Sequence, residues 1–373
     1  MPEEHFEDIF VTRPFLPDKA VFMRYVDEIW RSRRLTNQGP LHEEFAARLS
    51  GMFGGACVTL TANGHLALDT ALKAMGLSGE IITTPFTFAS TTHAITSNGI
   101  DPVFCDVRED DLTINADLIE GLITGRTSAL MPVHVYGHLC DCEKIGGIAA
   151  KYGLKVLYDA AHAFGIEQTA RFGDVSMLSF HATKLFHTIE GGALVYKDPA
   201  LKPVLDAHKN FGFDAGGSAE YIGGNAKMSE FQAAMGLSVL PHVGELIAER
   251  KLLTMRYREN LRGLDGVRYF TPENSGSHNY AYMPVMVDEA ACGFTRDCLF
   301  DALKARGIHA RKYFSPLTSD FACYRGKYTA DLPVARKAAA QILCLPLFNG
   351  LTLGEADRIC AVIRSALAQN KMV

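Results

Sequence analysis

Between residues 56 and 200 the chain repeats one pattern, a short apolar run followed by a longer segment of helical period. The runs Ile81–Thr84, Val103–Asp106, Ala129–Val135, Lys155–Tyr158, Val175–Phe180 and Ala193–Tyr196 are continuous rather than alternating. A strand with one wet face alternates, and a strand covered on both faces does not. Leu66–Met75, Ala89–Asn98 and Glu143–Tyr152 fill gaps between runs with helical spacing. That order predicts an α/β unit around a mostly parallel sheet. Ligands of such sheets sit at the carboxyl ends of the strands.

The pattern changes downstream. A long helix is expected from Met228 towards Tyr257, kinked at Pro241. Val267–Phe270, Ala281–Val287 and Ile308–Lys312 read as strands, Thr295–Arg306 and Gly354–Ala368 as helices. We therefore expect a large domain over residues 1–245 and a smaller α+β domain over 246–373. The 373 residues suffice for both.

Charge narrows the function classes. Lys plus Arg is 37 and Asp plus Glu 42, a net charge of −5 with no basic block, so nucleic-acid binding is not expected. No apolar run reaches the ~18 residues of a membrane helix. The acidic start, Met1 to Asp8, has no apolar stretch of the secretory kind. Nine scattered cysteines suggest free thiols in a reducing cytoplasm.

Four loops at strand ends carry the chemistry. Asn63-Gly64-His65 opens a helix, whose first N–H groups suit an anion such as phosphate; Asn-Gly is also an ordinary turn. Asp159, ending an apolar strand, would need a cationic partner such as a protonated pyridine nitrogen, unless it serves as a cap. Lys184 lies between two strands, where an apolar crevice would depress its pKa and let it form a Schiff base with an aldehyde. Ser179, five residues earlier, could donate to a phosphate. Phe88 could stack on a planar cofactor or sit in the core. Phosphate loop, stacking ring, carboxylate and lysine together describe a site for pyridoxal 5′-phosphate (PLP).

Pro132-Val133-His134-Val135-Tyr136-Gly137, Asp159-Ala160-Ala161-His162, Ser179 to Lys184 with Glu190-Gly191-Gly192, and Lys227 to Ala234 resemble the DegT/DnrJ/EryC1/StrS family of PLP-dependent sugar aminotransferases. The resemblance runs from Gly39-Pro40 to Leu345-Pro346-Leu347. It implies the aspartate-aminotransferase-like fold (PLP fold type I), with a mixed, mostly parallel seven-stranded sheet. It makes Lys184 the cofactor-bound lysine and proton shuttle, Asp159 the partner of the pyridinium nitrogen, and His162 the neighbour of the phenolic oxygen. Phe88 would stack on the ring; Gly64, His65 and Ser179 would bind the phosphate. Asn225 would reach the phosphate of a neighbouring subunit, which implies a homodimer with shared sites. No metal is implied.

Glutamate is the implied amino donor and a nucleotide-linked keto-sugar the acceptor. His162 and Phe164 resemble the members that act on 4-keto-6-deoxy sugars. The expected reaction converts dTDP-4-keto-6-deoxy-D-glucose to dTDP-4-amino-4,6-dideoxy-D-glucose for surface polysaccharide such as the O-antigen of lipopolysaccharide. A 3-keto sugar or a UDP- or GDP-linked 4-keto sugar is the alternative acceptor. The chain departs from the family at His65, where Thr is common, and at Ala226, where an aromatic residue is.

Rivals of other classes fit less well. A dehydrogenase needs G-x-G-x-x-G, and Gly51-Met52-Phe53-Gly54-Gly55 does not supply it. A non-catalytic regulator on the same fold would not need Lys184, Asp159 and His162 together. A metal hydrolase of the H-E-x-x-H kind is absent, and Gly137 interrupts the pair His134 and His138.

Overall fold

The computed structural model describes residues 7–270 and 278–370. Most of the acidic opening stretch, residues 1–6, lies outside them. The first part of the chain runs β1 (Ile9–Phe10), α1 (Lys19–Ser32), α2 (Pro40–Met52), β2 (Cys57–Thr61), α3 (Gly64–Ala74), β3 (Glu80–Thr83), α4 (Ala89–Ser97), β4 (Asp101–Phe104), α5 (Ala116–Ile119) and β5 (Thr127–Met131). It continues through α6 (Cys142–Tyr152), β6 (Lys155–Asp159), β7 (Val175–Ser179), β8 (Gly192–Tyr196), α7 (Leu201–His208), α8 (Glu230–Val239) and α9 (Val243–Leu261). The last part holds β9 (Val267–Tyr269), β10 (Met283–Val287), α10 (Glu289–Cys292), α11 (Arg296–Lys304), β11 (Ile308–His309), α12 (Pro333–Gln341), β12 (Ile342–Leu345) and α13 (Leu353–Asn370).

Seven strands make one sheet in the order β2-β8-β7-β6-β5-β3-β4. Only β8 runs against its neighbours; the remaining pairs are parallel. The sheet is mixed and mostly parallel, as the unalternating runs required. Along β8, Ala193 and Val195 enter one core with Phe45 and Phe186, while Leu194 and Tyr196 enter another with Leu68 and Leu72. Both faces are covered, so both sets of side chains are apolar.

The differences at strand ends have local causes. β5 stops at Met131 because Pro132 has no N–H to give to a ladder. β4 begins two residues earlier than expected and contains Pro102, which an edge strand tolerates. β2 does not announce itself as a strand, because Thr59 and Thr61 break its apolar run. Both are buried, and Thr59 pairs its hydroxyl with that of Tyr196 at 2.8 Å. The expected kink is a 3₁₀ turn, Leu240–His242, between α8 and α9.

A three-stranded antiparallel sheet, β12-β10-β9, forms the C-terminal layer. α9 joins the two layers. Val243 and Leu246 pack into the core beside the large sheet, and Leu253, Tyr257 and Leu261 into the C-terminal core. β1 pairs with β11, placing Ile9 opposite Ile308. Among the described residues no helix is long and apolar enough to cross a membrane.

Candidate active site

A cavity of about 550 Å³ opens at the carboxyl ends of the large sheet's strands. Gly64, His65, Phe88, Asp159, His162, Ser179 and Lys184 all line it. Four separate stretches of sequence therefore converge on one space.

Lys184 sits in the turn after β7, held by its N–H to the His181 carbonyl at 2.9 Å. The next two residues anchor the turn. Leu185 and Phe186 are buried, and Phe186 stacks on Phe164 at 4.3 Å and meets Phe180 edge-on at 5.1 Å. Lys184 Nζ donates to the Tyr282 hydroxyl at 3.2 Å. Burial lowers its pKa to about 8, with Asp159 and Tyr313 acting in the opposite direction. Desolvation penalises the ammonium, so the neutral amine becomes accessible near physiological pH.

Asp159 closes β6 and is 4% exposed. Its Oδ2 accepts from Thr91 Oγ1 at 2.7 Å and its Oδ1 from the Ala161 N–H at 3.1 Å. Desolvation still dominates and holds its pKa above the usual carboxylate value. Both donors are neutral, so charge balance is left to Lys184 and to whatever cation enters the cavity.

His162 stands beside them. The Tyr136 N–H donates to its Nδ1 at 3.1 Å. A backbone N–H can only donate, so Nδ1 carries no proton in the neutral ring and Nε2 carries it. Burial first, then Lys184, keeps the ring's pKa well below normal. Phe314 lies parallel to the imidazole at 5.9 Å, and the Tyr282 ring is 4.6 Å away.

The anion end is built by close approach. Asn63 caps α3 through its Oδ1, which accepts the Leu66 N–H at 2.9 Å. The N–H groups of Gly64 and His65 precede the first helical acceptor and stay available. A Cβ on Gly64 would stand 3.1 Å from Ser179 Cβ, and one on Gly192 would stand 2.7 Å from the Asn63 carbonyl. Gln232 ties the loop down by donating to the Ala62 carbonyl at 3.0 Å. The Lys227–Ala234 stretch thus positions the loop from behind.

Phe88 is 58% exposed and lines the cavity, whereas Phe86 is the ring in the core. Asn225 is exposed and is not among the residues lining this cavity. His134 stacks on Tyr158 at 4.6 Å and accepts the Cys140 N–H at 3.2 Å; His138 contacts the Asp111 carbonyl at 2.9 Å. Both serve the local scaffold. His187 contacts the Phe15 carbonyl at 2.6 Å and accepts from the Ile189 N–H at 3.2 Å. Trp30 is 67% exposed and so lies outside the core. Thr91 and Tyr282 were not foreseen as site residues. The sequence offers only a threonine on an expected helix and a Tyr at the start of an apolar run.

A family model for the DegT/DnrJ/EryC1/StrS aminotransferase family matches residues 18–364. The chain belongs to that family. It is 42% identical over 361 residues to a dTDP-4-amino-4,6-dideoxy-D-glucose transaminase of Shigella dysenteriae, covering 95% of this chain and 98% of the relative. An Escherichia coli protein of the same name is 40% identical, with 91% and 94% covered. Among solved structures, DesI in the presence of its TDP-sugar product superposes with a TM-score of 0.95 at 36% identity, covering 100% of this chain and 96% of that one. Helicobacter pylori PseC, an aminotransferase of pseudoaminic acid biosynthesis, follows at 0.89 and 25% identity, with 97% and 100% covered.

DegT/DnrJ/EryC1/StrS aminotransferases depend on PLP, and the residues of this chain fit it. The cavity offers a helix start for a phosphate, a buried carboxylate short of a cation for a ring nitrogen, and a buried amine for an aldehyde.

Proposed function

We propose that this chain transfers the amino group of L-glutamate to C4 of a nucleotide-linked keto-deoxysugar. The acceptor in this reading is dTDP-4-keto-6-deoxy-D-glucose and the product dTDP-4-amino-4,6-dideoxy-D-glucose, made for surface polysaccharide. The reading rests above all on one observation. Lys184 and Asp159 meet in a single cavity of a chain 42% identical to a transaminase named for that product. The TDP-sugar of DesI, at a TM-score of 0.95, supports the nucleotide.

PLP, when bound, supplies an electron sink for the carbon that loses its proton. With PLP bound, Lys184 would take that proton from the Cα of the donor onto its Nζ. The depressed pKa of about 8 serves this task, because a base works best near the ambient pH. Asp159 keeps the ring nitrogen protonated, and that cation relieves the carboxylate's desolvation in return. His162 offers its Nε2–H to the phenolic oxygen. Gly64, His65 and Ser179 hold the phosphate, and Phe88 covers the ring. The products would be 2-oxoglutarate and the amino sugar.

The working unit in this reading is a cytoplasmic homodimer. Asn225 is exposed and outside its own cavity, which suits a residue that serves the neighbour's phosphate. We place the division between the two domains at residues 245 and 246, within α9.

The test supplies PLP, L-glutamate and dTDP-4-keto-6-deoxy-D-glucose to the purified protein. We expect a dTDP-amino-dideoxysugar by mass spectrometry, one 2-oxoglutarate per product, and by NMR the equatorial C4 amine of the gluco configuration. Turnover confined to a 3-keto or a UDP- or GDP-linked sugar would overturn the acceptor.

A further inference from the structure

We propose that the Tyr282 hydroxyl receives the amine of Lys184 whenever that amine is free of the cofactor, which makes Tyr282 a positioning residue for the transfer. The proposal rests on the reading of Lys184 given above.

Tyr282 reaches the site from the far side. It immediately precedes β10 of the C-terminal sheet and lines the same cavity. Its backbone is fixed on both flanks. Asn279 Nδ2 donates to the carbonyls of His162 at 2.7 Å and Phe164 at 2.9 Å, and its Oδ1 accepts the Ala281 N–H at 3.2 Å. The buried Arg250 donates from Nη1 to the Ala281 carbonyl at 3.1 Å. The ring is held by His162 at 4.6 Å, Tyr136 at 5.8 Å and Tyr313 at 6.1 Å. A hydroxyl so framed has little room to wander.

Lys184 Nζ donates to that hydroxyl at 3.2 Å and lies 5.7 Å from the ring centroid. The direction of the bond matters. As an ammonium, Lys184 gives one of its three N–H groups to the tyrosine oxygen, which fixes where the nitrogen stands when a proton leaves it. The lone pair is what must meet the proton on the donor's Cα. Lysine is a compact charge on a flexible stem. A fixed acceptor keeps that stem aimed, the kind of prearrangement that orientation effects reward. Burial raises the Tyr282 pKa, so the hydroxyl stays neutral and adds no negative charge beside the carbon being deprotonated. The side-chain oxygens of Asp159 are engaged by Thr91 and Ala161.

The variant to make is Tyr282→Phe, which keeps the ring and removes only the acceptor. Two measurements read it. In the PLP-free protein, the rate at which cyanate carbamylates Lys184, followed on its peptide by mass spectrometry, reports the amine's titration. A bond accepted from the ammonium favours the charged form, so the midpoint of the variant should fall below that of the parent. In the loaded enzyme, conversion by L-glutamate in a single turnover should slow about tenfold to a hundredfold, the size of one hydrogen bond to a charged group. The isotope effect with α-deuterated glutamate should rise while PLP retention is unchanged. An unmoved midpoint together with an unchanged rate and isotope effect would overturn the proposal. If the parent protein itself is not converted by glutamate, the functional reading fails. The carbamylation midpoint still decides the contact, because it needs no PLP.

Discussion

The two walls of the cavity are built by different rules. One wall is made of the loops after β2, β3, β6 and β7, and it carries the buried ionisable groups Asp159, His162 and Lys184. The other is made of Tyr282, Tyr313 and Phe314, side chains that stay neutral at physiological pH. Yet the second wall is part of what sets the chemistry of the first. Burial is the leading cause of the shift at Lys184, at Asp159 and at His162, downward for the bases and upward for the acid. Ionisable groups act here because an aromatic wall keeps water from them.

Breaking the charged wall should have the larger effect on rate. Lys184→Ala removes the base and should cut turnover at least roughly 10²–10⁴-fold, the range for general acid–base groups, in an assay of 2-oxoglutarate release. It should cost no stability in the PLP-free protein, since a buried amine with a depressed pKa is a burden on the fold below that pKa. Between a folded pKa of about 8 and an unfolded pKa of about 10.4 the unfolded chain binds more protons, so stability rises with pH across that window.

Asp159→Asn should slow transfer by roughly 10²–10³-fold, as loss of a preorganised electrostatic partner does. Without PLP its melting temperature should match or exceed that of the parent, because the carboxylate's raised pKa marks a charge buried at a cost. A variant both slow and unstable would mean that Asp159 is mainly structural.

The neutral wall should show the reverse balance. Asn279→Ala strands two buried carbonyls, each at a cost of about 1–3 kcal/mol, and should lower the melting temperature by several degrees. Its rate loss should be smaller than that of Asp159→Asn. A larger loss would erase the distinction between the walls.

The charged wall was legible in the sequence because each of its loops directly follows an apolar run or opens a helix. Asp159, Ser179 and Lys184 are placed by β6 and β7, whose buried residues announce themselves. The neutral wall was not legible. Tyr282 reads as the edge of one more strand, and its partner Lys184 is 98 residues away in sequence. Thr91 reads as a helical threonine until the fold sets it 2.7 Å from Asp159. β2 was hidden by threonines that fold inward, where Thr59 pairs with the Tyr196 hydroxyl and Thr61 donates to the Asn63 carbonyl. The motif stretches also hid a division of labour. Glu230, within Lys227–Ala234, is not among the residues lining the cavity and instead caps α2, accepting from the N–H groups of Leu41 and His42 at 2.9 Å each.

The most direct test of the central claim, that Lys184 and Asp159 hold PLP for amino transfer, is a visible absorption spectrum of the purified protein with PLP, before and after L-glutamate. The account predicts a protein-bound cofactor band that glutamate converts to the pyridoxamine form. No band after PLP is supplied, or a band that glutamate leaves untouched, would contradict it.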